Sequence, residues 1–227
     1  MNAFLKTILR KRLSAGLYKA LQSARSEFEI QKRHRAGVRQ ARRHLGLGSL
    51  QLHLGCGQNY KPGWVNVDLF VSGVDLSLDL REPLPFASAV ATHIYSEHAF
   101  EHFSYPDEAN RLLAECLRVL VPGGVLDVGV PDTEQAIYDY YVYRDPAKLA
   151  RARELWHRES WCDLPLHQLN YHFRQNGEHK YAWDYETLAS VLAKAGFAAI
   201  SRRDFEVGLD DEKRRGTLYI RAHKPTQ

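Results

Sequence analysis

The run Leu52-His53-Leu54-Gly55-Cys56-Gly57, with Asp68 eleven residues beyond Gly57, constrains this chain more than any other feature in it. A short apolar strand opening onto two glycines lets backbone approach a ligand closely, because no Cβ holds it off. The next apolar segment, Trp64-Val65-Asn66-Val67-Asp68, ends on a carboxylate. In nucleotide-binding α/β folds a carboxylate at that neighbouring strand end takes the ribose hydroxyls. Together the two point to a nucleoside-containing ligand. A nicotinamide or flavin site needs a third glycine in G-x-G-x-x-G, but Gln58, Asn59 and Tyr60 follow Gly57. The Gly-Lys-Ser/Thr ending of a phosphate-binding P-loop is missing as well.

Further pieces follow in order: Asp79-Leu80, Pro83-Leu84-Pro85-Phe86, His93-Ile94-Tyr95-Ser96-Glu97-His98, and Arg118-Val119-Leu120-Val121-Pro122-Gly123-Gly124. This ordered array resembles the class I S-adenosylmethionine-dependent methyltransferases, in particular the small bacterial methyltransferase type 11-like group. The resemblance covers roughly residues 50 to 132, and residues 179 to 197 are similar to the family's late helix. It implies a Rossmann-like α/β fold with a mostly parallel seven-stranded sheet, an antiparallel last strand and S-adenosyl-L-methionine as cofactor. It also implies that Leu54, Gly55, Cys56 and Gly57 wrap the methionine part and that Asp68 and Leu69 hold the ribose. Asp79 and Leu80 would stand at the adenine, with Ser96 and Glu97 beside the sulfonium. Two positions depart from the pattern. His53 stands where many relatives carry an acid, and residues 58 to 67, with Pro62-Gly63, are too few for a full crossover helix, so a loop is expected there.

The 227 residues suit one α/β domain with an appendage, and 44% hydrophobic with 26% charged residues is the balance of a globular chain. No apolar run approaches the ~20 residues that cross a bilayer, and no secretory signal is recognisable at the start. Cys56, Cys116 and Cys162, odd in number and widely spaced, read as reduced thiols. A cytoplasmic setting is therefore expected.

Charge divides the chain. Residues 1 to 44 hold 12 Lys/Arg and 2 acids, a local +10, whereas the remainder holds 19 basic and 25 acidic residues, or −6. A mildly acidic body argues against a nucleic-acid groove, and no DNA partner is expected. Within residues 1 to 44, Leu5, Leu9, Leu13, Leu17 and Leu21 recur every four residues, joined by Phe4, Ile8 and Tyr18, while Lys6, Arg10, Lys11 and Lys19 fall largely elsewhere. The extension therefore reads as a basic amphipathic helix. It can lie on an anionic membrane surface at the inner face, dock on a partner protein, or pack on its own domain or on a second copy with its charges solvated.

In residues 45 to 227, strands are expected at Leu50 to Leu54, Val65 to Asp68, Val74 to Leu78, Thr92 to Ser96, Val125 to Val130, Ala199 to Phe205 and Thr217 to Ala222. A helix is expected to start near Ser104 with Asp107, to bury Leu112, Leu113, Cys116, Leu117 and Leu120, and to end at Pro122-Gly123-Gly124. Tyr185 to Ala195 reads as a second helix, closed by Gly196. Residues 133 to 182 lie outside the shared scaffold and are dense in aromatics and histidines, among them Tyr138, Tyr140, Tyr141, Tyr143, Trp156, His157, Trp161, Tyr171 and Phe173. An insertion leaving the carboxyl end of a strand is placed to act as a substrate lid, and flat aromatic faces suit sugar rings.

The expected reaction is transfer of a methyl group (EC 2.1.1.-) to a hydroxyl of a sugar, glycan precursor or other small polar acceptor. Similar bacterial proteins are associated with polysaccharide biosynthesis. A hydroxyl acceptor needs a base, most simply histidine. His98 is the first candidate, with His167, His172 and His179 in reserve and Asp132 as an orienter. His98-Ala99-Phe100-Glu101-His102 also spells H-x-x-E-H, an inverted zinc-protease pattern, here outside any protease scaffold. Some methyltransferases acting on RNA 3′ ends or quinone precursors hold a divalent metal on Glu-x-x-Glu-His in this place, with His98 standing for the first Glu. The expectation taken is no metal, with Glu101 and His102 bracing the sheet edge. The alternative to an enzyme is a catalytically silent cofactor-fold module that recruits a partner at a membrane.

Overall fold

A computed structural model describes residues 13–44, 49–142, 144–155, 159–214 and 216–226. Phe4, Leu5, Lys6, Ile8, Leu9, Arg10, Lys11, Tyr143, Trp156 and His157 lie outside the described residues.

The first four strands are β1 (Leu50–Leu54), β2 (Val65–Val67), β3 (Ala91–Glu97) and the longer β4 (Leu120–Pro131). They pair in parallel, and β6 (Thr217–His223) runs antiparallel to both β4 and β5 (Ala198–Arg203), giving the order β2-β1-β3-β4-β6-β5. Only β6 is reversed, as expected of the last strand. The chain steps from β1 outward to β2, then crosses back to β3 on the other side. That reversal of direction opens a crevice at the carboxyl ends of β1 and β3, the place where open α/β sheets bind ligands.

The described residues form six strands, not the expected seven. Val74 to Leu78 makes a single bridge from Leu76 to Val67. The reason lies in Asn66, which is fully buried. Its backbone carbonyl accepts from both Asp75 and Leu76 N–H, and its own N–H donates to the Asp75 carboxylate at 2.8 Å. The Asp75 side chain thus takes the place of a ladder partner. The Asn66 amide also accepts from Lys61 N–H at 2.8 Å and donates to the carbonyls of Lys61 and Trp64. These bonds hold the helix-free loop after Gly57, as its length and Pro62-Gly63 led one to expect.

Helix α1 (Ala15–Ala41) precedes the sheet, α2 (Asp107–Val119) joins β3 to β4, and α3 (Thr133–Val142), α4 (Pro146–Leu155) and α5 (Pro165–Arg174) make up the aromatic insertion. Helix α6 (Tyr185–Lys194) follows and ends before Gly196, whose φ is +100°. Helix α2 differs from expectation at both ends. Its entry is held by Ser104, whose N–H and hydroxyl both donate to Glu108 rather than Asp107. It stops at Val119, and Leu120 to Gly124, including Pro122-Gly123-Gly124, already run as β4. Val119 takes the buried place on the helix face while Leu120 is buried in the strand.

Charge is also used inside the sheet. Asp127 of β4 is fully buried and meets His93 of β3 at 2.7 Å, Arg203 of β5 at 2.9 Å and Arg221 of β6 at 2.9 Å. Burial works against its charge, but these three partners outweigh it and hold the carboxyl down at about 2.

Candidate functional site

A cleft of about 590 Å³ lies over the carboxyl ends of β1 and β3, inside the ~300–1,000 Å³ range of small-molecule sites. Gly55 and Gly57 line its floor with φ of +67° and +53°. A Cβ on Gly55 would stand 2.6 Å from that of Ala99, whereas one on Gly57 would meet nothing within 4 Å. The first glycine therefore lets two backbones pack, and the second presents bare backbone to open space.

Asp68 stands across from them. One carboxylate oxygen accepts from Gly57 N–H at 3.0 Å, and the other from Phe70 and Val71 N–H at 2.8 and 3.1 Å. A carboxylate has about four lone-pair positions. Asp68 so ties the two strand tips together and keeps acceptor capacity for a hydroxyl. Leu69, Asp79 and Leu80 complete the wall.

The site residues expected from sequence fall into two groups. Gly55, Gly57, Asp68, Leu69, Asp79, Leu80 and His98 line the cleft. Leu54, Cys56, Ser96 and Glu97 are buried behind it. Cys56 hydrogen-bonds weakly to the Gly57 carbonyl, and burial pushes its thiol up to about 12, so it is a packing residue. Glu97 accepts from Tyr219 O–H at 2.7 Å, facing β6. His53 is buried beside Tyr95, bonded to Asn66 and uncharged, its pKa lowered to about 4 by burial. Its departure from the family pattern thus belongs to the core.

One wall of the cleft escaped sequence reasoning. Helix α1 packs its carboxyl half directly on the wall formed by Leu69 and Asp79. Ile30 lines the cleft, Arg33 donates to the Leu69 carbonyl, and His34 Nδ1 accepts from Asp79 N–H at 3.1 Å. The Asp79 carboxylate is taken up by Arg81 at 2.7 Å, and Arg81 reaches on to Glu27 of α1 at 3.0 Å. Asp79 is therefore a neutralised wall element, not an open acceptor. Gly37 was the available signal. Glycine costs roughly 1 kcal/mol inside a helix, and here a Cβ would lie 2.1 Å from the Ser77 carbonyl oxygen. Its absence permits the helix to touch the sheet edge.

A second cavity of about 240 Å³ opens between α3 and α5 and shares His98 and Arg214 with the first. Asp132, Gln135, Asp139, Gln168, Gln175, His172 and His179 supply a polar lining. His167 lines neither cavity. It sits on α5, hydrogen-bonded to Asp163 at 2.8 Å.

His98 follows β3 in a left-handed conformation, φ +53°, held by its N–H on the Gly129 carbonyl at 2.8 Å. Its Nε2 lies 2.8 Å from Thr217 Oγ1, and that hydroxyl donates to the Arg214 carbonyl. The Thr217 proton being used, Nε2–H must donate, which leaves the lone pair on Nδ1. Burial first, then Arg214, push His98 well below the ordinary imidazole range, so it is neutral at pH 7. Beside it, burial pushes the Glu101 carboxyl up to about 8.

The Methyltransferase domain family model matches residues 71–128, the stretch running from Asp79-Leu80 through β3, His98 and α2 into β4. That methyltransferase-domain match spans about a quarter of the chain. Solved structures similar to this chain include an S-adenosylmethionine-dependent methyltransferase from Archaeoglobus fulgidus, 15% identical, covering 98% of this chain and 100% of that one, with a TM-score of 0.46. A counterpart from Thermotoga maritima is 14% identical over 91% of this chain and 97% of that one, with a TM-score of 0.44. A chain from the complex of the Haloferax volcanii Trm112 methyltransferase activator with a methyltransferase is 18% identical over 91% and 96%, with a TM-score of 0.46. No curated protein matches. The bare Gly57 backbone and the bridging Asp68 carboxylate fit S-adenosylmethionine as a cofactor. Among the described residues no helix is long and apolar enough to cross a membrane.

Proposed function

We propose that this chain is a class I S-adenosylmethionine-dependent methyltransferase acting on a hydroxyl oxygen of a sugar, glycan precursor or other small polyhydroxylated acceptor. The observation that carries this reading is the meeting of the two cavities at His98. Bound S-adenosylmethionine supplies an electrophilic methyl on a sulfonium whose leaving group is already good. The protein's task is then alignment and proton removal. Gly55, Gly57, Asp68 and the Asp79-Leu80 wall hold the cofactor on one side. The polar cavity between α3 and α5 orients the acceptor on the other, with carboxylates, amides and Arg214 matched to hydroxyl-rich molecules. His98 Nδ1, neutral and carrying the lone pair, takes the hydroxyl proton as the new carbon–oxygen bond forms. His179 lines the acceptor cavity, and His167 is left outside the chemistry. A radiolabelled methyl-transfer assay against nucleotide sugars and lipid-linked glycans is expected to yield O-methylated product. Transfer confined to amines, nucleic acid or protein would end this reading.

The face of α1 turned away from the cleft carries Leu17, Leu21 and Phe28, exposed by 57%, 44% and 67%. These positions share one helix stripe, flanked by Arg25 and Lys32. We assign this stripe to an anionic membrane surface. Co-sedimentation with anionic vesicles is expected for the full chain and lost in a Leu17→Asp/Leu21→Asp/Phe28→Asp variant. Equal binding of the two would refute the assignment.

A further inference from the structure

Glu101 is a buried carboxyl group with no hydrogen-bond partner, its Oε1 standing 3.6 Å from His98 Nδ1 and 3.9 Å from His102 Nε2. It is 2% exposed. Leaving a carboxylate so placed costs several kcal/mol. The expected bracing of the sheet edge is performed by its backbone instead. The Glu101 carbonyl accepts from Lys180 and Tyr181 N–H at 2.8 and 3.2 Å. Arg214 acts on the carboxylate only through space and is paired with Asp211.

That backbone clamp draws a distant segment onto the short turn Phe100–His102, and with it His179. One ligand atom each from Glu101, His102 and His179 lie within 4.8 Å of one another. Both imidazoles are oriented from behind. His102 Nδ1 lies 3.1 Å from the Glu178 carbonyl, and His179 Nδ1 lies 2.7 Å from the His172 carbonyl. A carbonyl only accepts, so Nδ1 carries the proton in each ring and Nε2 carries the lone pair. Metal-bound histidines are oriented in this way by outer-shell carbonyls. His102 Nε2 is 3.9 Å from Glu101 Oε1. Tetrahedral bonds of about 2.0–2.2 Å set ligand atoms roughly 3.4 Å apart, so side-chain rotations of about an ångström close the set.

We propose that Glu101, His102 and His179 bind a divalent transition-metal ion of the zinc class, contrary to the sequence expectation of no metal. Two imidazoles and one carboxylate favour Zn²⁺ over Mg²⁺, which prefers oxygen ligands. Three protein ligands leave coordination positions open, as catalytic zinc sites do. His102 lines the cofactor cleft and His179 the acceptor cavity, so the ion stands between them. There it receives an acceptor oxygen and lowers the pKa of the hydroxyl that His98 deprotonates. This role rests on the methyl-transfer reading; the metal site itself does not.

The test is titration of the untagged, chelator-stripped full chain with Co²⁺ and Zn²⁺, read by visible absorption and calorimetry, with S-adenosylmethionine binding measured separately on the same samples. One ion per chain is expected, with Zn²⁺ displacing Co²⁺ and Mg²⁺ failing to do so. Glu101→Gln, His102→Ala and His179→Ala are each expected to weaken Zn²⁺ by at least about 100-fold. Retained cofactor binding in the near-isosteric Glu101→Gln variant shows that it is folded. No Zn²⁺ binding, or binding that all three variants keep within about threefold, overturns the metal site. A chain that binds cofactor without metal refutes only this inference; one that binds metal without cofactor refutes only the methyl-transfer reading.

Discussion

Replacing Asp68 by alanine is expected to weaken S-adenosylmethionine binding about 100- to 1,000-fold. The carboxylate has two duties at once. It accepts three backbone N–H groups, from Gly57, Phe70 and Val71, which fixes the two strand tips at one spacing. It also keeps acceptor capacity facing the cleft, which we assign to the ribose hydroxyls. A hydrogen bond to a charged group contributes about 1.5–3 kcal/mol. Losing two of them to the ribose, at the lower end of that range, removes roughly 3–4 kcal/mol, and each 1.4 kcal/mol is a factor of ten. Loosening of the Gly57 loop adds to the loss. Asp68→Asn keeps one acceptor oxygen and should fall between. Calorimetric titration of both variants, with circular dichroism as the check on folding, tests this. An alanine variant whose affinity stays within about threefold of the parent would remove Asp68 from the cofactor site.

Replacing His98 is the second large effect. General bases contribute about 10²- to 10⁴-fold to turnover, so kcat should fall by that factor once the acceptor is in hand. The choice of variant matters because His98 has φ +53°. Among non-glycine residues asparagine tolerates that region well, whereas alanine would add backbone strain. His98→Asn therefore separates chemistry from folding. Cofactor affinity should stay close to that of the parent, because the glycine backbone and Asp68 are untouched. Zn²⁺ binding should persist too, since the proposed ligands are Glu101, His102 and His179. Near-normal turnover would strip His98 of the base role. Loss of Zn²⁺ on this substitution would move it from base to ligand.

Much of the frame was legible before any coordinates. Leu50–Leu54 forms the strand at the expected bounds, and Gly55, Gly57 and Asp68 gather at one cleft. Alternation of apolar strands with an amphipathic α2 led to a parallel sheet because those periodicities report local geometry. Val74 to Leu78 misled because its strand-like spelling ignored Asn66, whose buried amide and backbone claim that segment's hydrogen bonds. Ser96 and Glu97 were placed beside the sulfonium by the family resemblance, whereas both are buried. Glu97 is held towards β6 by the Tyr219 hydroxyl, which donates to its carboxylate.

What the residues settled unaided is chemical: a glycine-tipped strand, a carboxylate one strand away, a histidine-rich insertion, and a basic extension on a mildly acidic body. What needed the fold is every relation across long stretches of chain. Helix α1 becomes a cleft wall through Glu27, Arg33 and His34, and Asp79 is spent on Arg81 instead of staying open. Glu101 meets His179 only because two backbone N–H groups dock on its carbonyl. Short-range preferences act over a few residues and repeat as readable patterns. Long-range contacts form only when the packing of all the elements closes the loops between them, and no local pattern encodes which pairs that closure selects.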